Sequence, residues 1–150
     1  MLHGASFSSN TILSIILAAN RDRISALRRR AAVEGFQVKT GIDLVKLDEF
    51  RRSLESGGET MLKRLFHPSE ASADSLERLA GIFAAKEAAF KALGMPRGNW
   101  HIVEIKYDRE GKPGIIFAPE FDRSLIISVD VSIAHAGEYA IACVTALVRE

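Results

Sequence analysis

Four places in the chain combine residue types that could do chemistry together. Asp43 stands in QVKTGIDLVKL (37–47), and Lys86, Glu87 and Lys91 stand in DSLERLAGIFAAKEAAFKALGMP (74–96). Gly111-Lys112-Pro113 closes the polar run DREGKP (108–113), and Ser132 to His135 ends a late apolar run. Two converging carboxylates make a hard-oxygen site for Mg²⁺, which keeps several waters and takes substrate phosphates as its other ligands. Lysines beside such a metal neutralise phosphate charge. Metal, cations and a group that orients the nucleophile are the parts phosphoryl transfer needs. Each residue also has a plainer reading. Asp43 suits a strand end facing water. Glu87 and Lys91, four apart, suit a solvated helix pair worth roughly 0.3–0.5 kcal/mol. Small alanines around that pair leave room for something large and anionic.

The elements that must position these residues are legible from periodicity. Leu76, Leu79, Phe83, Phe90 and Leu93 recur at helical spacing across 74–96, with Asp74 as N-cap, Glu77 three residues on, and Gly94 and Pro96 as the stop. Residues 37–47 read as a strand with Val38, Ile42, Leu44 and Val45 as its apolar positions. A helix follows over 48–65, broken at Gly57-Gly58, then a turn at His67-Pro68. Residues 100–107 alternate as a strand and reverse through Gly111 into 114–118. Residues 125–133 and 139–148 are two apolar strands joined by a turn at 134–138 that holds His135. The expected fold class is α+β, a long central helix packed on a mostly antiparallel sheet.

The chain has 150 residues, 47% hydrophobic and 26% charged, which suits one domain with a real core. The net charge of +1 hides an asymmetry. Residues 1–40 hold six Lys/Arg against Asp22 and Glu34, and the remainder holds fourteen against seventeen. Residues 1–36 read as a basic amphipathic helical extension ahead of a domain over 37–150. The charge of that extension follows its short apolar part, which argues against a signal peptide. An ordinary packed helix is favoured there, on its own domain or on another subunit, over membrane contact by residues 11–34. No apolar run reaches the roughly 18 residues of a spanning helix. A single cysteine, Cys143, excludes an internal disulfide and fits a reducing, cytoplasmic setting. The four histidines show no metal-type spacing. No nucleic-acid partner is expected.

The ordered motifs GID (41–43), AGIFAAKEAAFKALG (80–94), GKP (111–113) and VSIAHAGEYAIA (131–142) resemble the phosphopantetheinyl transferases, most of all the small holo-acyl-carrier-protein synthase type. The likeness covers about 38–148. It implies an α+β fold, a homo-oligomer with a trimer favoured, and active sites between subunits. The implied reaction moves the 4′-phosphopantetheine arm of coenzyme A to a serine of an apo acyl or polyketide carrier protein and releases adenosine 3′,5′-bisphosphate. Fatty acid or polyketide synthesis is the setting it implies. By position, the resemblance makes Asp43 and Glu87 ligands of Mg²⁺ and gives Glu87 a part in deprotonating the carrier serine. Lys91 would contact the phosphates and steady the leaving group. Ser132 and His135 would lie near the adenosine and its 3′-phosphate. Lys86 belongs to the signature and serves either structure or a phosphate.

This chain departs from the family pattern in places. Ile82 stands where an arginine is common. Gly94-Met95-Pro96-Arg97-Gly98 replaces the usual Gly-Thr-Gly, so Arg97 is expected to supply the lost phosphate contact. Glu49 falls near a common carrier-docking arginine, with Arg51, Arg52, Lys63 and Arg64 as the nearby cations for an acidic carrier. The rival expectation is a non-catalytic module that binds a carrier protein or coenzyme A without turnover.

Overall fold

The computed structural model describes residues 35–149, so the expectations on residues 1–34, membrane contact included, lie outside the described residues. Strand β1 (Phe36–Lys46) leads directly into helix α1 (Leu47–Leu65). A one-turn helix α2 (Pro68–Ala71) precedes the central helix α3 (Leu76–Leu93). A 3₁₀ turn (Trp100–Ile102) opens β2 (Val103–Tyr107), followed by β3 (Pro113–Phe117), β4 (Ile126–Ala136) and β5 (Tyr139–Arg149). β2 and β3 form an antiparallel hairpin. The other sheet has the order β1-β5-β4, with β4 and β5 antiparallel and Val131 opposite Val144. Helices against this sheet make the expected α+β architecture.

Helix α3 is central because it is covered almost all round, as a helix rich in alanine and apolar residues must be to stay out of water. Ala80, Ala84, Ala85, Ala88 and Ala89 are fully buried, and Ile82, Phe90 and Ala92 nearly so. α1, β2, β4 and β5 all pack on it. Its start differs slightly from expectation. Ser75, not Asp74, is the N-cap, and its hydroxyl accepts from the Arg78 amide at 3.2 Å. Gly94 ends it in the left-handed region at φ 65°.

β1 meets α3 backbone to backbone. A Cβ on Gly41 would fall 2.0 Å from the Ala88 carbonyl oxygen and 2.6 Å from the Ala92 nitrogen. Only glycine in the strand, against alanine in the helix, allows that approach. The break expected at Gly57-Gly58 is present as a kink, with Gly58 at φ 55°.

A second anchor is a buried ion pair. Lys86 is fully buried, and its Nζ lies 2.6 Å from Glu70 Oε2. It also donates to the carbonyls of Leu65 (2.9 Å) and Trp100 (3.2 Å). Glu70 accepts from the Ile105 amide at 2.7 Å and the His67 amide at 2.8 Å. The network ties α1, α2, α3 and β2 together, and each buried charge has the partners it requires. Burial pushes the Lys86 ammonium pKa below its ordinary value, and Glu70 opposes that shift.

Gly41→Ala is expected to destabilise the full-length protein by about 1–3 kcal/mol through overpacking. The midpoint of denaturant unfolding reports this, and an unchanged midpoint would mean that β1 does not lie against α3 as described.

Candidate functional site

The Gly41 contact sets the site because Asp43 follows two residues later on the same face of β1. There it meets the C-terminal half of α3. Lys91 Nζ lies 2.6 Å from Asp43 Oδ1 and donates to the Ile42 carbonyl at 3.0 Å. Lys91 is therefore held against β1, one helical turn from Glu87.

Glu87 is 9% exposed, and its Oε2 is buried without a hydrogen-bond partner. Arg97 Nε approaches that oxygen to 3.5 Å, an ion-pair distance without hydrogen-bond alignment. Asp43, Glu87 and Arg97 line one open cleft with Lys46, Glu49, Phe50, Ser53 and Phe83. Burial raises the Glu87 carboxyl pKa above its ordinary value. Arg97 and Lys91 pull it down, and the neighbouring Asp43 charge pushes it up. A desolvated carboxylate with an unused oxygen, beside a second carboxylate, is a donor set that fits a hard divalent cation. Among the described residues no group of three or more His, Cys, Asp or Glu side chains gathers. Two protein oxygens leave the other positions to water and phosphate, the arrangement Mg²⁺ favours.

The other expected residues fall elsewhere. Of the two roles open to Lys86, the geometry supports the structural one, since its ammonium sits in the interior ion pair with Glu70. His135 lies in β4, not in a turn, because the strand runs on to Ala136 and the reversal takes only Gly137 and Glu138. His135 Nε2 donates to the Glu77 carbonyl at 2.8 Å, in the first turn of α3. Gly81 makes room for this crossing, as a Cβ there would fall 2.8 Å from His135 Nε2. By the 1.5 Å rise per residue, Glu77 lies about 15 Å along the helix from Glu87. Ser132 is exposed on the opposite face of β4 from His135, three residues away. Lys112 reaches within 3.7 Å of Asp130 on β4. One copy of the chain thus brings Asp43, Glu87, Lys91 and Arg97 together and leaves Ser132 and His135 apart from them.

Sequence reasoning missed Glu70, which an ordinary surface-turn spacing gave no reason to bury. It also gave no cleft role to Ser53, or to Phe83, which it placed on the apolar face of the helix.

The chain is similar to known proteins in both sequence and fold. Residues 39–144 match the family model of the 4′-phosphopantetheinyl transferase superfamily. The chain is 40% identical over 114 residues to the holo-[acyl-carrier-protein] synthase of Frankia alni, covering 73% of this chain and 96% of that protein. It is 38% identical over 120 residues to the enzyme of the same name from Geobacter sulfurreducens, covering 70% and 93%. Its fold is similar to the crystal structure of Helicobacter pylori holo-[acyl-carrier-protein] synthase in complex with coenzyme A. There the TM-score is 0.66 at 31% identity, over 71% of this chain and 98% of that one. The chain belongs to the 4′-phosphopantetheinyl transferase superfamily.

The raised Glu87 pKa has a consequence for stability without metal. A carboxyl whose folded pKa lies above its unfolded value favours the fold at low pH, and that contribution is lost as pH rises through the folded pKa. Glu87→Gln, always neutral, is therefore expected to raise the melting temperature of metal-free protein at neutral pH. The gain should shrink to nothing as pH falls below the ordinary glutamate range. A variant that melts lower at neutral pH would contradict the desolvation of Glu87.

Proposed function

We propose that the chain transfers the 4′-phosphopantetheine arm of coenzyme A to a serine of an apo acyl carrier protein and releases adenosine 3′,5′-bisphosphate. The observation that carries the reading is the partnerless buried oxygen of Glu87 beside Asp43, with Lys91 and Arg97 flanking the two acids. In that reaction the serine oxygen forms a bond to the phosphorus of the phosphopantetheine arm. The bond from that phosphorus to the bridging oxygen of the diphosphate breaks, and adenosine bisphosphate leaves with the bond's electron pair.

Asp43 and Glu87 would hold Mg²⁺, which supplies charge neutralisation to the diphosphate when bound. Glu87 takes the proton that the serine loses, a role that suits a carboxyl whose proton affinity burial has raised. Lys91, held between β1 and the cleft, presents its ammonium to the leaving phosphate. The walls of Phe50 and Phe83, which stack at 5.5 Å, keep one side of the cleft apolar.

His135 and Ser132 would receive the adenosine end. His135 stands too far along α3, and Ser132 on the other face of the sheet, to serve the acid pair of their own copy, which supports a homo-oligomer with the site shared between copies. The outer face of the β1-β5-β4 sheet supports the same reading. Val38, Ile42, Leu44, Tyr139 and Ile141 lie exposed on it, a patch of the kind that marks a protein contact. A trimer is the favoured state by family resemblance. The carrier would dock by its acidic surface on α1, whose Arg51, Arg52, Lys63 and Arg64 are exposed. Lys63 is already paired with Glu59 at 2.8 Å, so the three arginines are the stronger candidates. No described helix is long and apolar enough to cross a membrane. The cytoplasm, where coenzyme A and apo carrier protein meet, is the proposed setting.

The test is to mix the protein with apo acyl carrier protein, coenzyme A and Mg²⁺ and to weigh the carrier by mass spectrometry. The carrier should gain one phosphopantetheine arm, and EDTA should abolish the gain. Asp43→Ala and Glu87→Ala should each lower the rate by roughly 10²–10³-fold with the fold intact. Coenzyme A binding with no mass gain on several carriers would favour a non-catalytic binding module instead.

A further inference from the structure

The cleft holds its two acids in two separate ion pairs, and the pairs are unequal. Asp43 is matched by Lys91 at 2.6 Å, and Lys91 is also fixed by the Ile42 carbonyl. Glu87 is matched only loosely by Arg97, at 3.5 Å, and the Arg97 side chain is 71% exposed. Lys46 and Glu49, which line the same cleft, pair with each other at 3.7 Å. The fixed charges of the cleft therefore cancel. A divalent cation alone would leave it with an excess of positive charge, and a diphosphate alone would leave an excess of negative charge.

Arg97 sits where it can answer both events. Its loop is held at each end: the Met95 amide donates to the Phe90 carbonyl at 3.0 Å, and buried Lys86 donates to the Trp100 carbonyl. Gly98, at φ 120°, turns the chain just beyond Arg97. The backbone is anchored while the long side chain projects into water, and a guanidinium matches phosphate as well as carboxylate geometry.

We infer that Arg97 couples the two ligands of the site: it neutralises Glu87 in the metal-free protein and turns to the diphosphate when a divalent cation takes its place at Glu87. The inference rests on the transferase reading above and adds to it the residue that makes metal and coenzyme A bind as a pair. By linkage, whatever Arg97 contributes to the effect of metal on coenzyme A it contributes equally to the effect of coenzyme A on metal.

Calorimetric titration of the full-length protein with Mn²⁺ alone, and with coenzyme A in saturating Mn²⁺, tests this without turnover. In Arg97→Ala, Mn²⁺ alone should bind roughly two- to fivefold tighter, because no side chain must be displaced from Glu87. Coenzyme A in saturating Mn²⁺ should bind roughly fivefold weaker or more, because its diphosphate has lost a charged partner. Arg97→Lys should keep both affinities near those of the unmodified protein, and far-UV circular dichroism should show all three proteins folded alike. Unchanged or weaker Mn²⁺ binding in Arg97→Ala would overturn the coupling role. Failure of the unmodified protein to take up Mn²⁺ even with coenzyme A would overturn the metal-dependent reading itself, and the coupling with it.

Discussion

Everything in the site depends on one close approach, that of the β1 backbone to the backbone of α3 at Gly41. The strand lies so near that Ala88 and Ala92 of the helix leave no space for a Cβ. Strand and helix are usually kept apart by side chains. Here glycine on one side and alanines on the other remove that spacer, and close packing then fixes the offset between the two elements. The offset puts Asp43 level with Lys91 and Glu87. A slip of one residue in β1 would turn Asp43 to the outer face of the sheet and dissolve the cleft.

The pair Lys86-Glu87 shows how one helix serves structure and chemistry at once. Neighbours on a helix point about 100° apart. Lys86 enters the interior, meets Glu70 and holds the backbone of Leu65 and Trp100. Glu87 faces the cleft, buried but without a hydrogen bond for Oε2. The first charge is satisfied within the protein, and the second keeps one oxygen without a hydrogen-bond partner. A buried carboxylate with one oxygen lacking a hydrogen bond is costly, and satisfied packing nearby is what allows it to persist.

The long helix, the strand ahead of α1, the Gly57-Gly58 break and the antiparallel late strands were all legible, because apolar periodicity and glycine placement are local signals. The acid pair was legible as a candidate, since the residue types and the motifs GID and AGIFAAKEAAFKALG stand in the chain itself. Three things were not. Burial of Glu70 is decided by Lys86, sixteen positions away, and nothing in Ser69-Glu70 announces it. The 3₁₀ turn at Trp100 is set by tertiary packing of its ring against Phe83 and Phe90, and it took the place of the start of a strand. His135 looked like a turn residue because Gly137 follows closely, yet a two-residue reversal sufficed and β4 kept the histidine against α3.

Ser132 and His135 stand away from the acid pair in one copy, and apolar residues lie uncovered on the outer face of the sheet. Both features make sense if the functional unit holds more than one copy. The most direct test is anomalous diffraction from crystals grown with Mn²⁺ and coenzyme A. The account predicts a manganese peak between Asp43 and Glu87, with the diphosphate beside Lys91 and Arg97 and the adenosine end reaching His135 of another copy. A manganese peak away from these two carboxylates, or coenzyme A bound wholly elsewhere, would contradict it.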